Sequence, residues 1–207
     1  IVAKDIPTYR HDPKMAKQLL TQAGWTKRGR KLVNKKGETL TLDIMTTAGN
    51  RSRELVEQVL QSQWKKLGID VRIKNQPARV FFGQTVTQRK FKAMAMFAWI
   101  SSPESVPRTT LHSDHIPSKE NNFAGQNYTG YKNPEMDGLL ERIEVELDRD
   151  KRQKLWHRFQ TIYADDLPVI PLYFRAEPYI LPKWLKGLEP TGHQDPSTLW
   201  VEHWRRG

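Results

Sequence analysis

The chain has 207 residues, 37% of them hydrophobic and 28% charged, with a formal net charge of +11 and no cysteine. That length holds one large or two small domains with a real core. Without thiols there are no disulfide scaffolds, thiolate metal sites or cysteine nucleophiles. No apolar run approaches the ~20 residues of a membrane-spanning helix; "MAMFAWI" (94–100) suits a strand better. Residues 1–11 are polar and aperiodic, and read as a linker arriving from an earlier part of a longer chain.

The first clear element is "DPKMAKQLLTQAGW". Asp12 suits an N-cap and Pro13 the first helical position. Met15, Ala16, Leu19, Leu20 and Ala23 form an apolar stripe, and Gly24 ends the helix, predicted over 13–23. "KRGRKLVNKK" (27–36) is the densest basic stretch and reads as a hairpin tip, with Lys36-Gly37 as its turn. Leu40, Leu42 and Ile44 alternate with polar residues, which predicts a strand over 40–46. A helix is expected over 53–67, with Leu55, Val56, Val59, Leu60, Trp64 and Leu67 as its apolar side. Glu54 in the first turn and Lys65 and Lys66 in the last complement its dipole.

Ile69, Val71 and Ile73 mark a strand over 69–75. "ARVFFGQTVTQRKF" reads as a weaker helix, and 92–99 as a strand buried on both faces. Strand, helix, strand, helix, strand is the order of a mixed sheet with crossover helices, an α/β fold. On such sheets ligands gather at the carboxyl ends of the strands. Here those ends are 46–50, 75–79 and 99–108. Residues 101–131 are loop-like and long enough to suggest function. Two helices follow, over 134–147 and 149–164, the first capped by Asn133 and started by Pro134. "DDLPVIPLYFRAEPYILP" (165–182) then reads as strand, although four prolines punctuate it and proline cannot donate to a ladder.

The search for catalytic or metal chemistry is thin. "HSDH" places His112 and His115 beside Asp114, but no third ligand has a recognisable spacing. "GWTKRGRK" has Arg30 where a phosphate loop needs Lys, and no nucleophile elbow or dinucleotide fingerprint is present. Asp165 and Asp166 sit at a helix end and read as caps or solvated groups. Neither an enzyme nor a cofactor is expected, and no metal at His112 and His115. The +11 charge alone admits a basic polyanion- or nucleic-acid-binding module as the alternative. No RNA-recognition motif, zinc-finger spacing or basic zipper accompanies it.

Taken in order, "DPKMAKQLLTQAGW", the Lys-Gly hairpin, "RELVEQVLQSQWKKLGIDVRIKNQ", and "NYTGYKNPEMDGLLERIEVELDRDKRQKLWHRFQTIYADDLPVIPLYF" resemble the extracellular solute-binding proteins of family 5. These are peptide- and nickel-type receptors of bacterial ABC importers. The resemblance implies a lobe of a two-lobed class II periplasmic-binding-protein fold, specifically its C-terminal lobe. Residues 12–199 would form the ligand-binding lobe and 200–207 a return toward a missing N-terminal lobe. It implies a sheet strand at "PVIPLYF", with Tyr173 and Phe174 as aromatic bulk.

The resemblance further implies binding of a peptide or other small solute by lobe closure, without chemistry. Its partners would be an ABC transporter permease and the N-terminal lobe of its own full-length chain. A monomer in the periplasm is expected, with no nucleic acid bound. Transport and sensing are equally compatible with these residues. The expected ligand-binding residues are Trp99 as an apolar wall, Ser101, Ser102 and Glu104 as polar contacts, Arg108 as partner of a ligand carboxylate, and Asn127 and Tyr128 from the long loop. Peptide receptors of the family often carry an Asp-Pro loop here; Glu104 is the only acid in "ISSPESVPR".

Overall fold

Short local signals start and stop most elements. The Asp12 carboxylate accepts the amides of Lys14 and Met15 and begins helix α1, Pro13–Gln22. At its end the Trp25 N–H bonds the Leu20 carbonyl at 2.9 Å. The computed structural model describes residues 3–102, 105–176, 178–192 and 195–207. None of α1 is buried, and Met15 and Leu19 of its expected stripe face outward.

Strands β1 (Thr26–Arg28) and β2 (Lys31–Val33) form an antiparallel ribbon. Its turn falls at Gly29-Arg30, one hairpin earlier than expected. Asn34 closes the second turn, accepting the amides of Lys36 and Glu38. Val33 then pairs antiparallel with Thr39.

The central sheet is parallel, in the order β4-β3-β5. β3 is Thr41–Met45, β4 Asp70–Ile73 and β5 Met94–Ala95. Thr41 pairs with Asp70 and Ile44 with Ile73 on one side; Ile44 pairs with Met94 on the other. Parallel and antiparallel pairings thus both occur among the described residues, in separate sheets.

The crossover from β3 to β4 is α2, Arg51–Leu67. Asn50 caps it, and Gly68, at φ 95°, ends it in the left-handed region. Its inner side differs from the expected stripe. Leu55 and Val59 are exposed, Leu60, Trp64 and Leu67 are half-buried, and the fully buried residue is Glu57. Asn75, at the end of β4, fixes this orientation by donating to Glu57 Oε2 at 2.7 Å.

The crossover from β4 to β5 is one helical turn, α3 (Ala78–Val80), running into a π-helical turn over Phe81–Val86. The strand expected over 92–99 shrinks to two residues and is not buried on both faces. Met94 to Phe97 are half-buried and Ala98 to Ile100 exposed, because β5 pairs only with β3.

The stretch expected to be loop over 101–131 contains a short helix α4 (Arg108–Leu111) and a 3₁₀ turn, Ser113–His115. Helices α5 (Pro134–Val145) and α6 (Arg149–Asp166) follow, capped by Asn133 and Asp148. They pack Met136, Leu139, Leu140 and Ile143 against Leu155, Phe159 and Ile162, with Leu111 of α4. A second, smaller core of Met45, Phe81 and Val86 lies on the sheet.

The strand expected at "PVIPLYF" is absent among the described residues. Val169, Ile170 and Leu172 are exposed, and Phe174 is fully so. Pro168 and Pro171 cannot donate, and no described strand lies beside the segment. Two short strands, β6 (Leu185–Lys186) and β7 (Arg205–Arg206), pair antiparallel near the end, bracketing a 3₁₀ segment, Ser197–His203. Among the described residues no helix is long and apolar enough to cross a membrane.

Candidate ligand site at the carboxyl ends of the parallel strands

Parallel pairing places the carboxyl ends of β3, β4 and β5 side by side, and their backbones are stitched beyond the strands themselves. Gln76 N–H donates to the Thr46 carbonyl at 3.1 Å and Ala48 N–H to the Gln76 carbonyl at 2.7 Å. The Thr46 hydroxyl donates to the Met96 carbonyl at 2.7 Å, and the Asn75 side chain accepts the Thr46 amide at 3.0 Å. Thr46 and Thr47 are buried.

Beyond β5 the chain carries an aromatic wall. Phe97 meets Phe81, Phe82, Trp99 and Tyr128 edge-on, with ring centroids 5.5–6.1 Å apart. Trp99 and Tyr128 stack at 6.3 Å with planes 21° apart. Such pairs add about 0.5–1.5 kcal/mol beyond burial. Trp99 is nevertheless 53% exposed, so a broad apolar surface remains open at the strand ends.

Tyr128 is held by its backbone. Arg89 Nε donates to its carbonyl at 3.0 Å. Asn127, one residue earlier, is fully buried. Its amide nitrogen reaches the carbonyls of Leu111, His112 and Tyr131 at 2.8–3.2 Å, and its oxygen accepts from Tyr131 N–H and the Thr129 hydroxyl. Asn127 therefore organises the loop and is closed to a ligand, which corrects its expected role as a contact.

Arg108 needs the same correction. Its guanidinium lies 3.1 Å from Glu144 and 3.8 Å from Glu141, both on α5, so its charge is already matched. Ser101 is exposed and Ser102 half-buried on the stretch leaving the wall. Glu104 lies outside the described residues. The structure thus brings Trp99 and Tyr128 together and leaves Ser101 and Ser102 alongside them in sequence.

At the start of α2 lies a cleft that sequence reasoning missed. It holds about 270 Å³ and is lined by Asn50, Ser52, Arg53, Tyr173, Arg175 and Ala176. Arg53 Nη1 donates to the Thr47 hydroxyl at 2.9 Å. Burial and the neighbouring Arg175 charge both hold the Arg53 pKa below its ordinary value. A larger open depression of about 390 Å³ lies on the α5–α6 hairpin, not at the strand ends, with the Glu135–Arg158 pair on its wall.

His112 is turned toward α5. His112 is buried; its Nδ1 accepts the Asp114 amide at 3.1 Å, which leaves Nε2 to face Glu141 at 3.4 Å. Among the described residues no three histidine or acidic groups are placed to share a metal ion. Asp166 accepts from the Tyr131 hydroxyl and from Asn133 at 2.8 Å, and these bonds lower its pKa. Burial and the same hydrogen bond raise the Tyr131 pKa.

The described residues thus set an open aromatic surface at the carboxyl ends of a parallel sheet crossed by helices. The family described as bacterial extracellular solute-binding proteins, family 5 middle, matches residues 2–118, and the chain belongs to it. It is 31% identical over 206 residues to the oligopeptide-binding protein AppA of Bacillus subtilis strain 168, covering 97% of this chain and 36% of that relative.

Two solved structures share the fold. The oligopeptide-binding protein of Thermus thermophilus, complexed with a pentapeptide, superposes with a TM-score of 0.80 at 34% identity over 90% of this chain and 33% of its own. AppA of Bacillus subtilis, in complex with a nonapeptide, gives 0.76 at 27% identity over 98% and 39%. The architecture is a lobe of the two-lobed periplasmic-binding-protein fold. The chain spans about a third of the length of these relatives.

Proposed function

We propose that this chain is the ligand-binding lobe of an extracytoplasmic receptor that captures peptides for an ABC importer. It binds by lobe closure and performs no chemistry. The observation that carries this reading is the open Trp99–Tyr128 stack at the carboxyl ends of the parallel strands. Aromatic faces of this kind accept side chains of varied shape, while a second lobe supplies enclosure. Lobe closure follows when the ligand contacts made only in the closed state outweigh the cost of reaching it. The relatives that bind a pentapeptide and a nonapeptide support peptide as the ligand class. Residues 12–199 form the binding lobe in this reading, and an ABC permease is the partner downstream.

The test is calorimetry on the full-length receptor with mixed-sequence peptides. Peptide should bind, and Trp99→Ala should weaken binding by about 1–3 kcal/mol through lost apolar contact. A receptor that ignores peptides, or a Trp99→Ala variant that binds as tightly as the parent, overturns this assignment.

A further inference from the structure

The densest basic stretch of the sequence takes no part in the ligand site. Six cations stand between residues 27 and 36, and Glu38 is the first acid after them. Resting on the extracytoplasmic receptor reading, we propose that the β1–β2 ribbon and the end of α2 form a docking surface for the anionic headgroups of a lipid bilayer.

The backbone gathers these charges at one end of the sheet. Leu32 N–H donates to the Gly68 carbonyl at 2.8 Å, Leu40 N–H to the Leu32 carbonyl at 2.9 Å, and Asp70 N–H to the Leu40 carbonyl at 2.9 Å. Gly68 directly follows α2, and a Cβ there would stand 3.1 Å from Leu32 N, so the ribbon lies tight against the helix end. That end carries Lys65 and Lys66, both exposed like Lys27, Arg28, Arg30 and Lys31. Thr41–Asp70 is the first pair of the parallel register, so the ribbon sits at the amino ends of the strands, away from the aromatic wall at their carboxyl ends. Lipid and peptide can therefore be held at once.

The charges serve no purpose within the fold. None of these six residues has an ion-pair partner among the described residues. Arg28 and Lys31 stand directly opposite one another in the ribbon, a like-charge pairing that destabilises a strand pair. Glu38 is turned to the Asn34 side chain, 2.7 Å away. An anionic surface relieves the repulsion, and each Lys or Arg near a charged bilayer strengthens binding by roughly fivefold. Nucleic acid is the other extended polyanion, yet residues 26–38 include no aromatic side chain on which a base could stack. A receptor that serves a membrane importer also works beside a bilayer.

The experiment floats the full-length receptor, without peptide, on vesicles of phosphatidylcholine alone and of equal parts phosphatidylcholine and phosphatidylglycerol. Binding to the anionic vesicles should be at least about tenfold tighter. Lys27→Gln, Arg28→Gln, Arg30→Gln and Lys31→Gln combined should remove most of that difference. Lys119→Gln, Arg149→Gln, Lys151→Gln and Lys154→Gln, all at exposed sites, lower the net charge equally and should cost less than about threefold. Raising sodium chloride from about 0.1 M to about 1 M should release the parent protein, because screening then cuts the reach of charge from about 10 Å to about 3 Å.

Equal binding to both vesicles, or anionic binding that survives high salt, overturns the proposal without any variant. An equal loss in the two combined variants assigns the effect to net charge and removes it from the ribbon. A DNA duplex that binds the same residues more tightly than the anionic vesicles do overturns lipid as the occupant. No peptide enters these measurements, so their failure leaves peptide capture standing, and a receptor that ignores peptides leaves the lipid result standing.

Discussion

Asn127 shows how a buried polar side chain can serve a site it never touches. Its amide joins α4, the 3₁₀ turn and Tyr131, and it fixes the backbone one residue before the Tyr128 ring. Asn127→Ala should therefore destabilise this chain by about 2–4 kcal/mol, since several buried backbone groups lose their partner at once. Urea unfolding monitored by tryptophan fluorescence would measure it, and a loss below about 1 kcal/mol would contradict this role. Glu57 calls for the opposite expectation. Its carboxyl is fully buried, Oε1 has no partner among the described residues, and burial raises its pKa. An acid whose folded pKa is raised contributes full stability below its ordinary value of 4.5, and that contribution is lost as pH rises through the folded value. Glu57→Gln should flatten stability against pH across this window and cost nothing at neutral pH; an unchanged pH slope would count against it. Trp99 was expected from its place at the end of a strand and Tyr128 from the long loop, and the fold stacks their rings. Arg53 and Tyr173 were not expected, since only the folded chain brings residues so distant in sequence into one cleft. Arg108 was misread because Glu141 and Glu144, three residues apart on α5, are visible as its partners only once α4 packs there.

The helices were legible from their caps. Asp12, Pro13, Asn133, Pro134 and Gly68 all act where the sequence places them, because capping is local chemistry. Asn133 does more than cap: its oxygen accepts the amides of Glu135 and Met136, and its nitrogen donates to Asp166 at the end of α6. Asn133→Ala should cost about 1–2 kcal/mol, read as a lowered denaturation midpoint. Asp166 carries the matching pH signature. Its depressed pKa stabilises the fold above the ordinary value of 3.8 and ceases to do so as pH falls through the folded value. Asp166→Asn should flatten the acid arm of the stability curve, and an unchanged arm would show that this tie is not formed in solution. Strands were harder to read. The length of β5 is set by its single neighbour β3, and the 169–174 segment has no described neighbour at all. Apolar composition records that a segment can pair, whereas its pairing depends on partners far away in sequence. The outward Leu55 and Val59 of α2 have the same origin: Asn75, beyond the helix, decides which side turns in.

At the scale of the whole molecule, the wall and the cleft are both open, and an open half-site leaves a ligand's polar groups in water. Specific pockets bury about 70–90% of a ligand's surface. The 207-residue segment should therefore fold yet bind peptide at least about tenfold more weakly than the full-length receptor. Equal affinity would mean that one lobe completes the site. The exposed apolar side chains of Ile170, Leu172, Phe174, Ile180 and Trp184 have a colloidal consequence as well. Exposed apolar side chains attract those of other copies, whereas a net charge of +11 drives the copies apart. Repulsion reaches about 10 Å at 0.1 M salt and about 3 Å at 1 M. Added sodium chloride should thus turn dispersed particles of this segment into clusters, seen as a rise in light scattering, and Phe174→Ser should move that onset to higher salt.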